Sequence, residues 1–265
     1  MSYPSRSNAM RFGSESQDLT TTLNAELQLS PIRPLQSTEL TIDGLSQALK
    51  RSVDLAGALI GMLLLAPVML GIVLLIRLDS SGPVLFRQLR CGRHGRLFHM
   101  LKFRTMVADA EQRLGDLEEH NESEHGVLFK LRDDPRVTSL GRFLRRSSLD
   151  ELPQLVNILR GEMSLVGPRP LQLRDSDKLR ELDSEGFACR LQVLPGLTGP
   201  WQVGGRSDID YSHMVKLDRD YVENWSLARD LRIIARTFIV VRSLARDLRI
   251  IARTFIVVLV GRGAY

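Results

Sequence analysis

Residues Leu55 to Ile76, LAGALIGMLLLAPVMLGIVLLI, run for 22 positions without a charge. Lys50 and Arg51 precede the run and Arg77 follows it. At ~1.5 Å per residue, a straight helix of that length reaches roughly 33 Å, enough to cross a bilayer core. Pro67 stands in the middle. A proline removes one helical hydrogen bond and crowds the preceding turn, so a kink is expected at Ala66–Pro67. Cations at both ends weaken the charge asymmetry that orients a spanning helix. We read the run as a re-entrant helix that enters a membrane, breaks at Pro67 and returns to the face it left. A plain spanning helix, and a buried helix of a water-soluble core, remain the alternatives.

The rest of the chain is polar and arginine-rich, with a formal net charge of +5. A basic surface beside an apolar anchor points to anionic headgroups or a phosphorylated substrate, and the anchor argues against nucleic acid. Cys91 and Cys189 show neither metal spacing nor a disulfide framework, as expected in a reducing cytoplasm. Residues 1–34 contain no apolar run of the signal-peptide type.

The order along the chain predicts an α+β, mostly helical protein with a small β-hairpin. Residues 1–48 read as a disordered cytoplasmic tail, rich in Ser, Thr, Gln and Asn. Residues 49–78 form the membrane helix and 79–225 a globular domain. Alternation over 84–90 and 96–104, joined through Cys91-Gly-Arg-His-Gly95, predicts the hairpin. Helical spacing covers Thr105 to about Glu119, with a polar break at 120–126. Thr138 to Arg146 reads as a short basic helix. An apolar stripe at Leu152, Leu155, Val156 and Leu159 predicts another, ended by Gly161. Residues 171–192 read as helix, as do Val215 to Trp225. Val166–Pro170 and 195–206 read as rigid Gly/Pro loops.

Residues 226–265 form a C-terminal helix carrying a duplication. SLARDLRIIARTFIVV occurs at 226–241 and again at 243–258, a period of 17 residues. On one continuous helix, 17 residues at about 100° each place the two apolar stripes about 100° apart. They cannot bury the same face against the same partner, so one copy is expected to be surplus.

Asp150-Glu151 is the candidate catalytic pair. Adjacent carboxylates can supply a nucleophile and a ligand for a hard divalent cation. Ser148-x-x-Glu151 also reads as a capping box, with both acids complementing a helix dipole. Arg145 lies just upstream. Arg169, between two prolines, has little conformational freedom and suits a fixed bidentate phosphate contact. Lys102 and Arg104 follow the same logic. The five histidines show no zinc spacing, and no Walker loop, GxSxG elbow or dinucleotide GxGxxG occurs. Trp201, in its Gly/Pro loop, reads as a packing plug or a stacking surface.

Several segments recur in one order: KRSVD (50–54), GPVLFRQLRCGRHG (82–95), KFRTM (102–106), the run from Asp133 to Pro170, PGLTGPWQVGGR (195–206) and LDRDYVENWSLARDL (217–231). Together they resemble the bacterial sugar transferases, the monotopic polyprenyl-phosphate phosphoglycosyl transferases, over about residues 48–265. The resemblance is to the exopolysaccharide-initiating type. It implies a monotopic membrane protein whose re-entrant helix breaks at Pro67. It also implies a catalytic domain at 79–225, Asp150 as nucleophile, and Glu151 as catalytic partner holding Mg²⁺. Lys102 and Arg104 lie in its KFRTM motif, and Arg145 and Arg169 match its phosphate-contacting arginines. The implied reaction moves a sugar 1-phosphate, galactose or glucose foremost, from a UDP-sugar to undecaprenyl phosphate through a covalent Asp-phosphosugar. The expected place is the cytoplasmic face of the bacterial inner membrane, and a homodimer is compatible with the sequence. Two departures stand out: Gly199-Pro200 before Trp201, and the duplicated tail. The competing reading is a non-catalytic, membrane-anchored basic adaptor of polysaccharide synthesis, and a weaker one is a phosphohydrolase.

Overall fold

A computed structural model describes residues 44–117, 131, 133–204 and 211–239. Residues 1–43 of the tail expected at 1–48, the polar break at 120–126 and the second copy of the duplicated unit lie outside the described residues.

Helix α1 runs Gly44–Asp79, with Pro67 inside it, and begins earlier than the expected 49. Among the described residues it is the one helix long and apolar enough to cross a membrane. One side of α1 lies on the globular body. Asp54, Ala58, Ile72 and Ile76 are buried there, at 3/4-type helical spacings. Gly57 permits this approach, since a Cβ would stand 2.6 Å from Leu165 Cδ1. The other side presents Leu59, Leu63, Leu64, Leu70 and Leu74, each more than 60% exposed. Burying such a side chain is worth roughly 1.5–3 kcal/mol, so a continuous leucine face this long calls for an apolar covering. The helix therefore fits a membrane anchor.

Both ends of α1 dock on the same body. Lys50 Nζ meets Asp230 Oδ2 at 2.6 Å and the Val166 carbonyl at 3.1 Å. Arg51 donates to the carbonyls of Ile158 and Leu159. Asp54 Oδ1 accepts from Ser164 Oγ and Leu165 N, both at 2.9 Å. At the far end, Ile72 and Ile76 pack with Phe103 and Leu144.

The expected hairpin forms from β1 (Leu85–Cys91) and β2 (Leu97–Phe103), antiparallel with Phe86 opposite Lys102. The expected helix from Thr105 does not form. Thr105 O accepts from Thr138 N, Val107 N bonds Arg136 O, and Met106 bridges Val137. These β-type contacts capture the segment, and among the described residues only α2 (Leu114–Leu117) remains helical. Helix α3 (Ser139–Arg146) is capped by Thr138, whose side chain accepts from Gly141 N. Gly141 presses on Thr105, where a Cβ would fall 1.9 Å from the carbonyl oxygen.

Helix α4 (Gln154–Arg160) ends at Gly161, φ 83°, as its sequence implies. Fully buried Asn157 ties α4 to β2, accepting from Leu101 N and donating to His99 O. A second sheet, missed by the sequence reading, pairs β3 (Ser164–Val166) in parallel with β4 (Gly196–Thr198). Three-residue strands carry too little alternation to be seen. The helix expected over 171–192 is two, α5 (Leu173–Leu182) and α6 (Ser184–Arg190), divided at Asp183, which caps α6 through Gly186 N. Next come α7 (Pro200–Gly204), α8 (Tyr211–Glu223) and α9 (227–239). Buried Val166, Cys189, Tyr221, Val222 and Ile233 join β3, α6, α8 and α9 in one core.

Candidate active site

Asp150 and Glu151 do not begin a helix. They lie in a 3₁₀ turn, Leu149–Glu151, ahead of α4, and Ser148 before them is left-handed at φ 56°. A non-glycine residue there costs energy and is typical of functional turns. The capping box does not form: the Ser148 side chain makes no capping bond. Glu151 is occupied elsewhere. Its Oε1 lies 2.8 Å from Lys102 Nζ and 2.7 Å from Arg169 Nη2. Lys102 Nζ is also 3.8 Å from Asp150 Oδ2.

The adjacent carboxylates are driven in opposite directions. Burial raises the Asp150 carboxyl, against the pull of Lys102, and neighbouring Glu151 raises it further. Burial also works to raise Glu151, but Arg169 and Lys102 outweigh it and hold that carboxyl well below its usual range. Burial lowers the Lys102 ammonium although Glu151 opposes it. Glu151 raises the Arg169 guanidinium. One carboxylate is thus locked in its ion pairs, and the other is kept basic beside a cation.

The four cations expected to meet phosphate separate into different roles. Lys102 and Arg169 reach the carboxylates directly. Arg145 Nε donates to Thr105 Oγ1 at 2.9 Å and borders the same cleft, with Asp150 among the charges acting on it. Arg104 holds the end of α1: its Nη2 donates to the Ser80 carbonyl at 2.6 Å and to Ser80 Oγ at 2.9 Å. It sits two residues beyond Lys102 on the same run of chain, so one segment joins the anchor's exit to the carboxylates.

These groups line a cleft of about 2520 Å³. Its polar part holds Lys102, Arg145, Asp150, Glu151 and Arg169. Its apolar part is walled by Ile60 and Leu64 of α1 with Leu231 and Phe238 of α9. The Trp201 ring lies 5.6 Å from the Arg169 guanidinium carbon, a cation–π contact unforeseen in the sequence.

Among the described residues no three His, Cys, Asp or Glu side chains gather to cage a metal. A Mg²⁺ ion needs no such cage, because it takes one or two carboxylates together with substrate phosphates. Lys102 and Arg169 both use Oε1 of Glu151, which leaves Oε2 for a hard cation. The residues fit that group.

The family described as bacterial sugar transferase matches residues 45–244. Galactosyl transferase CpsE of Streptococcus agalactiae serotype III is 46% identical over 193 residues, covering 72% of this chain and 42% of CpsE. The UDP-glucose:undecaprenyl-phosphate glucose-1-phosphate transferase of Escherichia coli K12 is 39% identical over 217 residues, covering 80% and 44%. The chain thus spans less than half the length of these two relatives. Exopolysaccharide production protein ExoY of Sinorhizobium fredii is 39% identical over 231 residues, covering 86% of this chain and 96% of ExoY.

Proposed function

The chain belongs to the bacterial sugar transferase family, and on that premise we propose that it transfers a sugar 1-phosphate from a UDP-sugar to undecaprenyl phosphate, releasing UMP, to begin exopolysaccharide synthesis. The observation that carries this reading is the buried, basic Asp150 carboxylate beside Lys102, in a cleft with one polar and one apolar wall.

In the first step an Asp150 carboxylate oxygen forms a bond to the sugar-bearing phosphorus. The bond from that phosphorus to the UMP oxygen breaks, and UMP leaves with the electron pair. In the second, a phosphate oxygen of the lipid attacks the same phosphorus and the Asp150 carboxylate departs. Lys102, Arg145 and Arg169 offset the charge that otherwise repels an anionic nucleophile from a diphosphate. Glu151 keeps Lys102 and Arg169 converged on one point. A Mg²⁺ ion would be held by Glu151 and the donor phosphates, and would neutralise phosphate charge there. The names of the relatives favour galactose or glucose as the sugar.

A re-entrant path for α1 is supported by its docking at both ends. Lys50 and Ile76 touch one body, which favours a helix that stays on one side of the bilayer. The reading places the cleft at the cytoplasmic face of the inner membrane, where nucleotide sugars and lipid phosphates meet.

The test is UMP release from UDP-galactose and UDP-glucose, with and without undecaprenyl phosphate, together with mass spectrometry of the peptide spanning 147–160. The expected result is a phosphosugar on that peptide without acceptor, discharged when acceptor is added. Salt-sensitive liposome binding without any UMP release would establish the adaptor instead. Acceptor-independent release of sugar phosphate would establish a hydrolase.

A further inference from the structure

Arg169 stands in Val166–Leu171, a segment with two prolines and therefore two missing N–H donors. The segment is held mostly by its carbonyls, beside the bond from Gly167 N to Thr198 O. Val166 O is approached by Lys50 Nζ and the Tyr221 hydroxyl. Pro168 O accepts from Gly196 N, and Leu171 O from Cys91 N. Two further carbonyls, those of Arg169 and Pro170, are taken by guanidinium groups. Arg190 Nη2 donates to Arg169 O at 2.6 Å, and Arg90 Nη1 to Pro170 O at 2.9 Å.

Arg190 is the last residue of α6 and pairs with Asp218 of α8 at 3.0 Å, the side chains only 4% and 2% exposed. A buried ion pair is a poor stabiliser, because desolvating both ions consumes most of the attraction between them. This one is also incompletely satisfied: Arg190 Nη1 has no hydrogen-bond partner among the described residues. Burial pushes the Asp218 carboxyl up to about 6, with Arg190 the opposing charge. Hydrophobic neighbours fill this region, with Phe187, Met214 and Val215 in one cluster. The pair's outlet is the backbone of Arg169.

We infer that the buried Arg190–Asp218 pair is a positioning device for the sugar-transfer reaction, fixing the Arg169 backbone so that its guanidinium meets Glu151 and the donor phosphate. Asp218 Oδ2 pairs with Arg190 Nη2, the same nitrogen donates to the Arg169 carbonyl, and the Trp201 ring flanks the Arg169 head. The inference rests on the transferase reading for its chemistry but on the hydrogen bonds above for its geometry.

The decisive variant is the double replacement Arg190→Met with Asp218→Leu. Exchanging a buried pair for apolar side chains of similar volume keeps or raises stability. The double variant is therefore expected to melt at or above the wild-type temperature, yet to lose roughly 10- to 100-fold in the rate of UMP release at saturating donor, as expected for a group displaced by about 1 Å. Wild-type turnover in a stably folded double variant would overturn the inference. Arg190→Lys gives a second test: it keeps a charge toward Asp218, but its shorter side chain withdraws the nitrogen that Nη2 places on both Asp218 Oδ2 and Arg169 O, and it is expected to fold and lose at least about tenfold. Full activity in Arg190→Lys would also overturn it.

A third readout needs no turnover. The chain has two tryptophans, so in a Trp225→Phe background Trp201 reports alone. Its quenching by acrylamide is expected to rise about twofold or more in the double variant, as Arg169 leaves the ring. Unchanged quenching would count against the inference even if the wild-type protein released no UMP, a result that would by itself sink the transferase reading.

Discussion

Two buried charge clusters invite comparison: the one around Asp230 and the one around Asp150. At Asp230 every contact is internal. Lys50 and Trp225 Nε1 meet Oδ2 at 2.6 and 3.1 Å, and the Tyr221 hydroxyl meets Oδ1 at 2.8 Å. This cluster ties α1, α8 and α9 to β3. At Asp150 the nearest cation stands 3.8 Å away and has its short bond elsewhere, to Glu151. A saturated carboxylate holds structure together. An unsaturated one beside an open cleft retains basicity for an incoming phosphorus, at some cost to the fold.

Exchanging the carboxylates is the sharpest way to break the comparison. Asp150→Asn is expected to lower UMP release by on the order of 10⁴-fold or more, with a thermal midpoint equal to or above wild type. The sign follows from the raised Asp150 carboxyl: its ionised form is disfavoured in the folded state, so at neutral pH it subtracts from stability and an amide does not. A melting scan beside the UMP assay checks both halves. Asp230→Ala is expected to do the reverse, destabilising the protein by about 3 kcal/mol as Lys50 and Tyr221 lose their partner, while the folded fraction keeps near-normal turnover. Urea unfolding and active-site titration separate these outcomes.

Glu151→Gln sits between the two. It is expected to raise the Mg²⁺ concentration for half-maximal rate roughly tenfold, and an unchanged metal requirement would remove Glu151 from the ion's ligands. The pH profile should show the smallest effect. In the proposed reaction Asp150 works deprotonated, and its carboxyl is raised, so the acid limb falls above that of an ordinary aspartate. In the same reaction Lys102 works protonated, and its ammonium is lowered, so the alkaline limb falls below that of an ordinary lysine. A bell no narrower than free Asp and Lys would refute that assignment.

The elements legible in the sequence were those encoded locally. The apolar run gave α1, alternation gave β1 and β2, and Gly161 closed α4 where it stands. The carboxylate pair and the cations Lys102, Arg145 and Arg169 were named from the sequence, but the contacts that join them were not. Lys102 and Arg169 reach Glu151 from 49 and 18 positions away, and Arg190 and Asp218 stabilise Arg169 from two other helices. Contacts of that separation leave no periodic trace. The segment from Thr105 misled for a related reason: its side chains suit a helix, yet a distant partner at 136–138 supplied better backbone bonds. Arg104 lines the cleft as well as holding Ser80 at the end of α1, and that second contact left no mark in the sequence. The duplicated tail is partly explained. The first copy supplies Asp230, Ile233 and Thr237, which meets Thr198 Oγ1 at 2.8 Å. Removing one 17-residue unit leaves that sequence in place and is expected to leave activity intact.

The leucine face of α1 has a kinetic corollary. Under the proposed reaction, a protein floating on that face shares a plane with the greasy acceptor, so the two find each other by a two-dimensional search. Turnover should then track the mole fraction of acceptor in the bilayer, and diluting intact vesicles with buffer at fixed lipid composition should leave the rate per protein unchanged.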